Sequence, residues 1–370
     1  MSARRAFVSA LTLAVALVWI YHGLVNKLLH AEPRHLQIVQ SVPGLAGEPG
    51  ETALALIGCG ELLLGLWVVS GRAAHACAAV QSAALLSMNL AEVTWARAHL
   101  VWAPGLIPVN LLFLAAAWLA VALRLRRHPL AIEAHFRRCL VLTYAMPAAK
   151  LEPLLPPGLE LERHGDDGFV AVALVQADAL RPAGLPRRFG TDFFLAGYRI
   201  FTRCRTAGGS RRGLKILRSD ADKRRMVLAG NLLTRYGYQL CRAHVHERDR
   251  VLEITIDTPA HDADLCVVAR LGGGDAPLPP GSPFCSAREA RRFAGPLPWT
   301  FDYEPETHSI IAVEGVRTNW RPRLVAVPTH HVGFLGDARF GGAAPRLASA
   351  FYLDHVDYRW KRGVRQAVPA

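Results

Sequence analysis

The sequence predicts a multi-domain protein: an all-α four-helix transmembrane bundle followed by an α+β, mainly antiparallel β-barrel-like domain. Three observations predict it. Four apolar runs of membrane-crossing length fall in the first third of the 370 residues. Charge is divided unevenly, with five acids, eight arginines and one lysine in residues 1–128 against 34 basic and 25 acidic residues in the remainder. Beyond the fourth run the pattern changes to short alternating stretches separated by Gly/Pro breaks, as in antiparallel sheets and barrels.

The predicted spans cover about 7–29, 52–70, 73–96 and 105–123 within a domain of residues 1–127. The first is too long for a signal-peptide core, and no small-residue cleavage site precedes a polar start. Arg4, Arg5, Arg72, Arg124, Arg126 and Arg127 fall on one set of loops. Arg34 and Arg97, with Glu32, Glu48 and Glu51 nearby, fall on the other. The positive-inside rule then places both termini in the cytoplasm of a bacterial inner membrane, with the bilayer as partner. The cysteines are seven and irregularly spaced, without a CxxC pair, which fits a reducing compartment and no disulfide framework.

Several polar residues lie inside these spans. His22 and Asn26 are four apart and share a helix face, Lys27 follows, and Glu61 lies near the middle of the second span. A carboxylate in hydrocarbon needs a partner, so Glu61 is expected to face His22 or Asn26 across the bundle. Lys27 and Glu92 are read as helix-end residues. Gly58, Gly60 and Gly65 are expected to admit a close neighbouring helix.

Residues 128–138 read as a basic linker and 361–370 as a tail, bracketing a domain of residues 139–360. Ten strands are predicted: 169–177, 193–206, 212–217, 243–247, 251–258, 265–270, 299–303, 310–316, 324–327 and 350–356. Ser219 to Asp222 resembles a capping box opening a helix to about Tyr236, and Ser286 to Glu289 opens a shorter one. "LGGGD" reads as a hairpin turn, since no Lys-Ser/Thr follows it as in a phosphate loop.

The net charge of +13 raises nucleic acid as a partner. Zinc-finger spacing, helix-turn-helix cues and an aromatic–Lys strip are all missing, and acids are interleaved with the arginines, so none is expected. His244 and His246 share a strand face and could join His330 and His331 only through tertiary proximity, so no metal is expected and no cofactor either. Asp302 and Glu304 are two apart on a strand, a spacing that acid/base work could use within a cleft. Arg199, Arg203 and Arg205 alternate along one strand, and Arg199 and Arg203 are candidate carboxylate-binding residues.

The stretches "VWIYHGLVNKLL" and "GCGELLLGLWVV" resemble the DoxX-like family of small four-helix bacterial membrane proteins over about residues 5–125. The resemblance implies membrane residence, and a link to respiratory or thiol-redox complexes found in the wider family. Three further stretches are "YAMPAAKLEPLLPPGLELE" (Tyr144–Glu162), "GFVAVALVQADALRP" (Gly168–Pro182) and "LRSDADKRRMVLAGNLL" (Leu217–Leu233). They resemble the bacterial family called domain of unknown function 2071, over about residues 135–360. That family implies an acetoacetate-decarboxylase-like fold, a twisted antiparallel sheet around an apolar pocket.

In the decarboxylases a lysine of lowered pKa forms a Schiff base. Here the matching turn is Asp220-Ala221-Asp222-Lys223-Arg224, which lacks the family's proline, and its two carboxylates would raise the pKa of Lys223. Lys215 lies mid-strand, sharing a face with Leu217, while Leu214 and Ile216 share the other. It is the better nucleophile if it points inward. Three functions follow: binding of a small apolar or carboxylate-bearing molecule without catalysis, a Schiff-base lyase using Lys215 or Lys223, and a membrane redox or transport component using Glu61 and His22.

Overall fold

The apolar runs form long helices. The computed structural model describes residues 3–100, 103–125, 128–206, 209–294 and 297–368. Helix α1 (Ala3–Ile20) continues as a π-helical stretch, Tyr21–Leu28, and is followed by α2 (Arg34–Gln40), α3 (Glu48–Ser70), α4 (Ala74–Trp95) and α5 (Ala103–Leu125). Four stretches, Ala6–Leu28, Glu48–Ser70, Ala74–Trp95 and Gly105–Arg124, are long and apolar enough to cross a membrane. Local signals set the ends of α3: Pro49, Glu48 and Glu51 occupy its first turn, and Gly71 stops it at φ 64°. Leu56, Leu63, Leu66 and Val69 of this helix point outward, as lipid-facing residues do. Val15, Trp19, Leu64 and Ala117 pack inside, and the Trp19 indole donates to Gln81 Oε1 at 2.8 Å.

Small residues set the closest helix approach. A Cβ on Gly23 would lie 2.6 Å from the Gly58 carbonyl oxygen, and one on Gly65 would lie 2.6 Å from an Ile20 side-chain carbon. Gly60, expected to join this seam, has open space beside it instead. The seam therefore runs through Gly58 and Gly65, with Gly23 contributed by the facing helix.

Residues 1–126 and 127–370 form two compact units. The second is strand-rich. Its elements are β1 (Ile132–Pro147), α6 (Ala148–Leu151), β2 (Leu159–Leu161), β3 (Asp167–Pro182), β4 (Thr191–Thr206), β5 (Gly209–Ala221), α7 (Arg224–Leu233), β6 (Tyr238–Leu240) and β7 (Arg242–Arg248). They continue with β8 (Val251–Asp257), β9 (Leu265–Arg270), α8 (Ala287–Ala294), β10 (Trp299–Glu304), β11 (Ser309–Arg317), β12 (Arg323–Leu324), β13 (Ala326–Val332), β14 (Arg346–Trp360) and β15 (Val364–Ala367). The large sheet runs β12-β14-β1-β3-β4-β5-β10-β11-β15, and β11 also pairs with the end of β14. The pairing path thus returns on itself through β14, β1, β3, β4, β5, β10 and β11. Most pairs are antiparallel; β5 runs parallel to β10 and to β6. A smaller sheet, β13-β9-β8-β7, contributes Leu252, Ile254, Leu265 and Val267 to a core shared with Leu140, Val172 and Tyr198 of the large one.

Strand β1 starts at Ile132, within the stretch read as a linker. Its alternation is hidden in sequence because its pairing with β3 is irregular between Glu133 and His135 and between Phe136 and Arg138. The capping reading at Ser219 also needs correction. Strand β5 runs through Ala221, Asp222 accepts the Phe194 amide at 2.9 Å, and α7 starts after Lys223 without a side-chain cap. At the shorter helix the cap forms: Ser286 Oγ accepts the Glu289 amide at 3.2 Å, and Glu289 accepts the Cys285 amide at 2.7 Å. "LGGGD" is not a hairpin turn. It leaves β9 for a long loop in which Asp275 accepts the Leu324 amide at 2.9 Å.

Candidate functional site

Within the helical unit, the π-helical stretch re-aims the side chains of "YHGLVNKL". Glu61 does not meet His22 or Asn26 directly. Its carboxylate accepts both 2.9 and 2.7 Å hydrogen bonds from Lys27 Nζ, and both residues are buried. Lys27, expected at a helix end, is thus the buried counter-ion. Asn26 bonds to His22 Nδ1 at 3.1 Å, and Asn110 donates to Asn89 at 2.7 Å. His22, Lys27, Glu61, Asn89 and Asn110 border a cavity of about 490 Å³, together with Arg34, His35 and Glu92. Burial and the Lys27 charge push the His35 imidazole down to about 4, so it is neutral near pH 7.

The second unit holds a cavity of about 390 Å³. Its wall takes side chains from every strand of the closed path: Phe136 and Cys139 (β1), Val175 (β3), Arg199 and Phe201 (β4), Leu214 and Ile216 (β5), Thr300 (β10), Arg317 (β11) and Trp360 (β14). Met226, Gly230 and Leu233 of α7 close part of it. Alternation along each strand does this, since every second residue faces the same side.

Two guanidinium groups enter this largely apolar wall. Arg317 donates to the Leu297 carbonyl at 2.8 Å and lies over the rings of Trp320 and Tyr358, at 4.4 and 5.3 Å from their centroids. Burial lowers its pKa, and the neighbouring Arg199 charge lowers it further, although an arginine stays protonated. The Nε of Arg199 is buried without a hydrogen-bond partner. Among the described residues, no carboxylate lies within 4.0 Å of either guanidinium. The other cations at the wall are neutralised: Arg181 pairs with Glu133 at 3.2 Å and Lys361 with Glu314 at 2.9 Å.

Arg203, the second predicted anion ligand, is not at this wall. It pairs with Glu162 at 2.9 Å, as Arg212 does, and Arg205 pairs with Glu160. Lys215 lies on the strand face opposite Leu214 and Ile216, and its Nζ is 3.6 Å from Asp302 Oδ1. Lys223 is half-exposed, 3.4 Å from Asp222. His244 and His246 sit on β7 and His330 and His331 on β13, opposite edges of the small sheet. Among the described residues no group of three or more metal-ligating side chains forms.

Asp302 and Glu304 are held by separate partners. Glu304 pairs with Arg365 at 2.5 Å. Asp302 is fully buried and accepts the Arg235 amide at 2.9 Å, with Lys215 and His128 Nε2 each 3.6 Å away. Burial alone would raise its pKa. The imidazole of His128, the Lys215 charge and the Arg235 amide outweigh that and hold it at about 2. Sequence reasoning missed His128 and Arg317. His128 stands in what read as a linker, and Arg317 carries no motif; alternation in β11 was its only trace.

Comparison with known proteins matches two segments of the chain to family models. Residues 16–118 match the model of the DoxX-like family, and they include all or part of each of the four helices long and apolar enough to cross a membrane. Residues 133–294 match the model of a family described as uncharacterized conserved protein. No protein of curated function matches the chain. Among solved structures, the second unit is similar to acetoacetate decarboxylase from Legionella pneumophila, at 12% identity over 64% of this chain and 87% of that one, with a TM-score of 0.45. It is likewise similar to an acetoacetate decarboxylase-like enzyme from Sphingomonas wittichii, at 13% identity over 65% and 94%, with a TM-score of 0.43.

Proposed function

We propose that this membrane protein binds a small amphipathic carboxylate in the cavity of its strand-rich unit, with Arg199 and Arg317 holding the anion. The observation that carries this reading is the pair of guanidinium groups without carboxylate partners, set among aromatic and aliphatic walls. A partly buried cation without a counter-ion is costly, and a ligand anion would offset that cost. The apolar wall suits the rest of the ligand, as in most small-molecule sites. Lys215 faces away from the cavity toward Asp302, which favours this reading over Schiff-base chemistry. The loop arginines and the free cysteines support a bacterial inner-membrane location with both termini and the strand-rich unit in the cytoplasm.

Calorimetric titration of the full chain in nanodiscs tests the site, with 3-phenylpropanoate as probe and 3-phenylpropanamide as its neutral control. The carboxylate binds about tenfold or more tightly than the amide, and Arg199→Gln removes the difference. Equal affinity for acid and amide in the native protein overturns the reading.

A further inference from the structure

His128 lines the same cavity as the two arginines. The residue adopts φ 52°, the left-handed region that side chains other than Gly rarely occupy. Backbone bonds hold it there: its amide donates to the Leu233 carbonyl at 3.1 Å, and its carbonyl accepts the Gly363 amide at 3.0 Å. Its ring packs on Tyr236 at 4.9 Å between centroids, and Nε2 faces the buried Asp302. A strained backbone pinned from two sides fixes an imidazole against a carboxylate, with the ring at a cavity wall. Tyr236 lines the same cavity as His128, Arg199 and Arg317.

Two cations are more than one carboxylate needs. A monoanion neutralises one guanidinium, whereas a carboxylate beside a forming enolate carries a second negative charge that would match the other. Resting on the carboxylate-binding reading, we propose that His128, oriented by Asp302, is a general base that removes a proton from the carbon next to the carbonyl of a 2-oxo acid held by Arg199 and Arg317. The C–H bond breaks and its proton passes to Nδ1, the ring nitrogen turned from Asp302. The electron pair forms the enol double bond, and the carbonyl pair becomes the enolate oxygen facing the guanidinium groups. Return of a proton from the imidazolium restores the acid, so no oxidant, reductant or co-reactant is consumed. Asp302 acts as a positioning residue, since it stabilises the imidazolium without touching substrate.

The experiment is exchange of the C3 protons of 2-oxohexanoate and phenylpyruvate in D2O, followed by proton NMR with the full chain in nanodiscs. Binding of each acid is measured separately by calorimetry. The native protein accelerates exchange over buffer, and His128→Gln binds both acids as before but loses at least about 100-fold in exchange rate. Asp302→Asn retains binding with a smaller loss of rate. Binding of either acid without exchange above buffer overturns the base assignment and leaves the anion site standing. Exchange unchanged in His128→Gln also overturns it. Failure of both acids to bind overturns the anion site on which the proposal rests.

Discussion

Arg199 and Arg203 share one strand face, and what separates them is position along β4, since Arg203 meets Glu162 away from the cavity wall. Lys215 and Ile216 are adjacent, yet only Ile216 faces the cavity. Asp302 shows what a buried charge needs: the backbone amides of Arg235 and Tyr303, with Lys215 and His128 beside it, set against its loss of water. Because its folded pKa of about 2 lies below the ordinary carboxylate value, its stabilising contribution is present above that ordinary value and is lost as pH falls toward about 2. Asp302→Asn therefore flattens the acid limb of the stability profile, read as the thermal midpoint of the β-sheet circular dichroism signal between about pH 5 and pH 2. In the helical unit, Lys27→Met leaves Glu61 buried without its counter-ion and costs about 3–5 kcal/mol. Adding Glu61→Leu recovers most of that loss in a detergent-unfolding assay; a double variant as unstable as Lys27→Met alone refutes the pairing.

Elements were legible to the extent that their side chains followed one period. The four apolar helices and strands such as Leu265–Arg270 stand out in sequence because nothing interrupts their pattern. Strand β1 was hidden by its two irregularities, and the start of α7 by an Asp pair that imitates a cap while serving the sheet. Of the two guanidinium groups at the cavity wall, Arg199 stands out in sequence on an alternating strand, whereas Arg317, like His128, depends on pairings distant in sequence. At the Ser286 cap, Ser286→Ala removes one amide partner and costs about 1 kcal/mol of helix stability, seen as faster amide exchange at Glu289. Along the glycine seam, Gly23→Val puts a side chain where the α3 backbone already lies. It reduces the yield of folded protein in detergent, whereas Gly60→Ala, with open space beside it, does not.

For the whole molecule, the ladder between β1 and β14 joins Ile132 to Trp360, and β11 meets the same end of β14 through Gly315. Strand β14 is thus the element that completes the path around the cavity. Its place in the chain imposes an order of events during synthesis. The helices are translated first, followed by β1, β3, β4 and β5 in a run of neighbouring antiparallel pairs that can form as they emerge. The closing strand leaves the ribosome more than two hundred residues after its partner. Until then one edge of β1 stays unpaired, and the arginine-bearing wall faces water rather than a closed interior. A carboxylate of the kind proposed for the finished cavity meets an open trough at that stage, and binding it only in the closed form favours closure of the last strand.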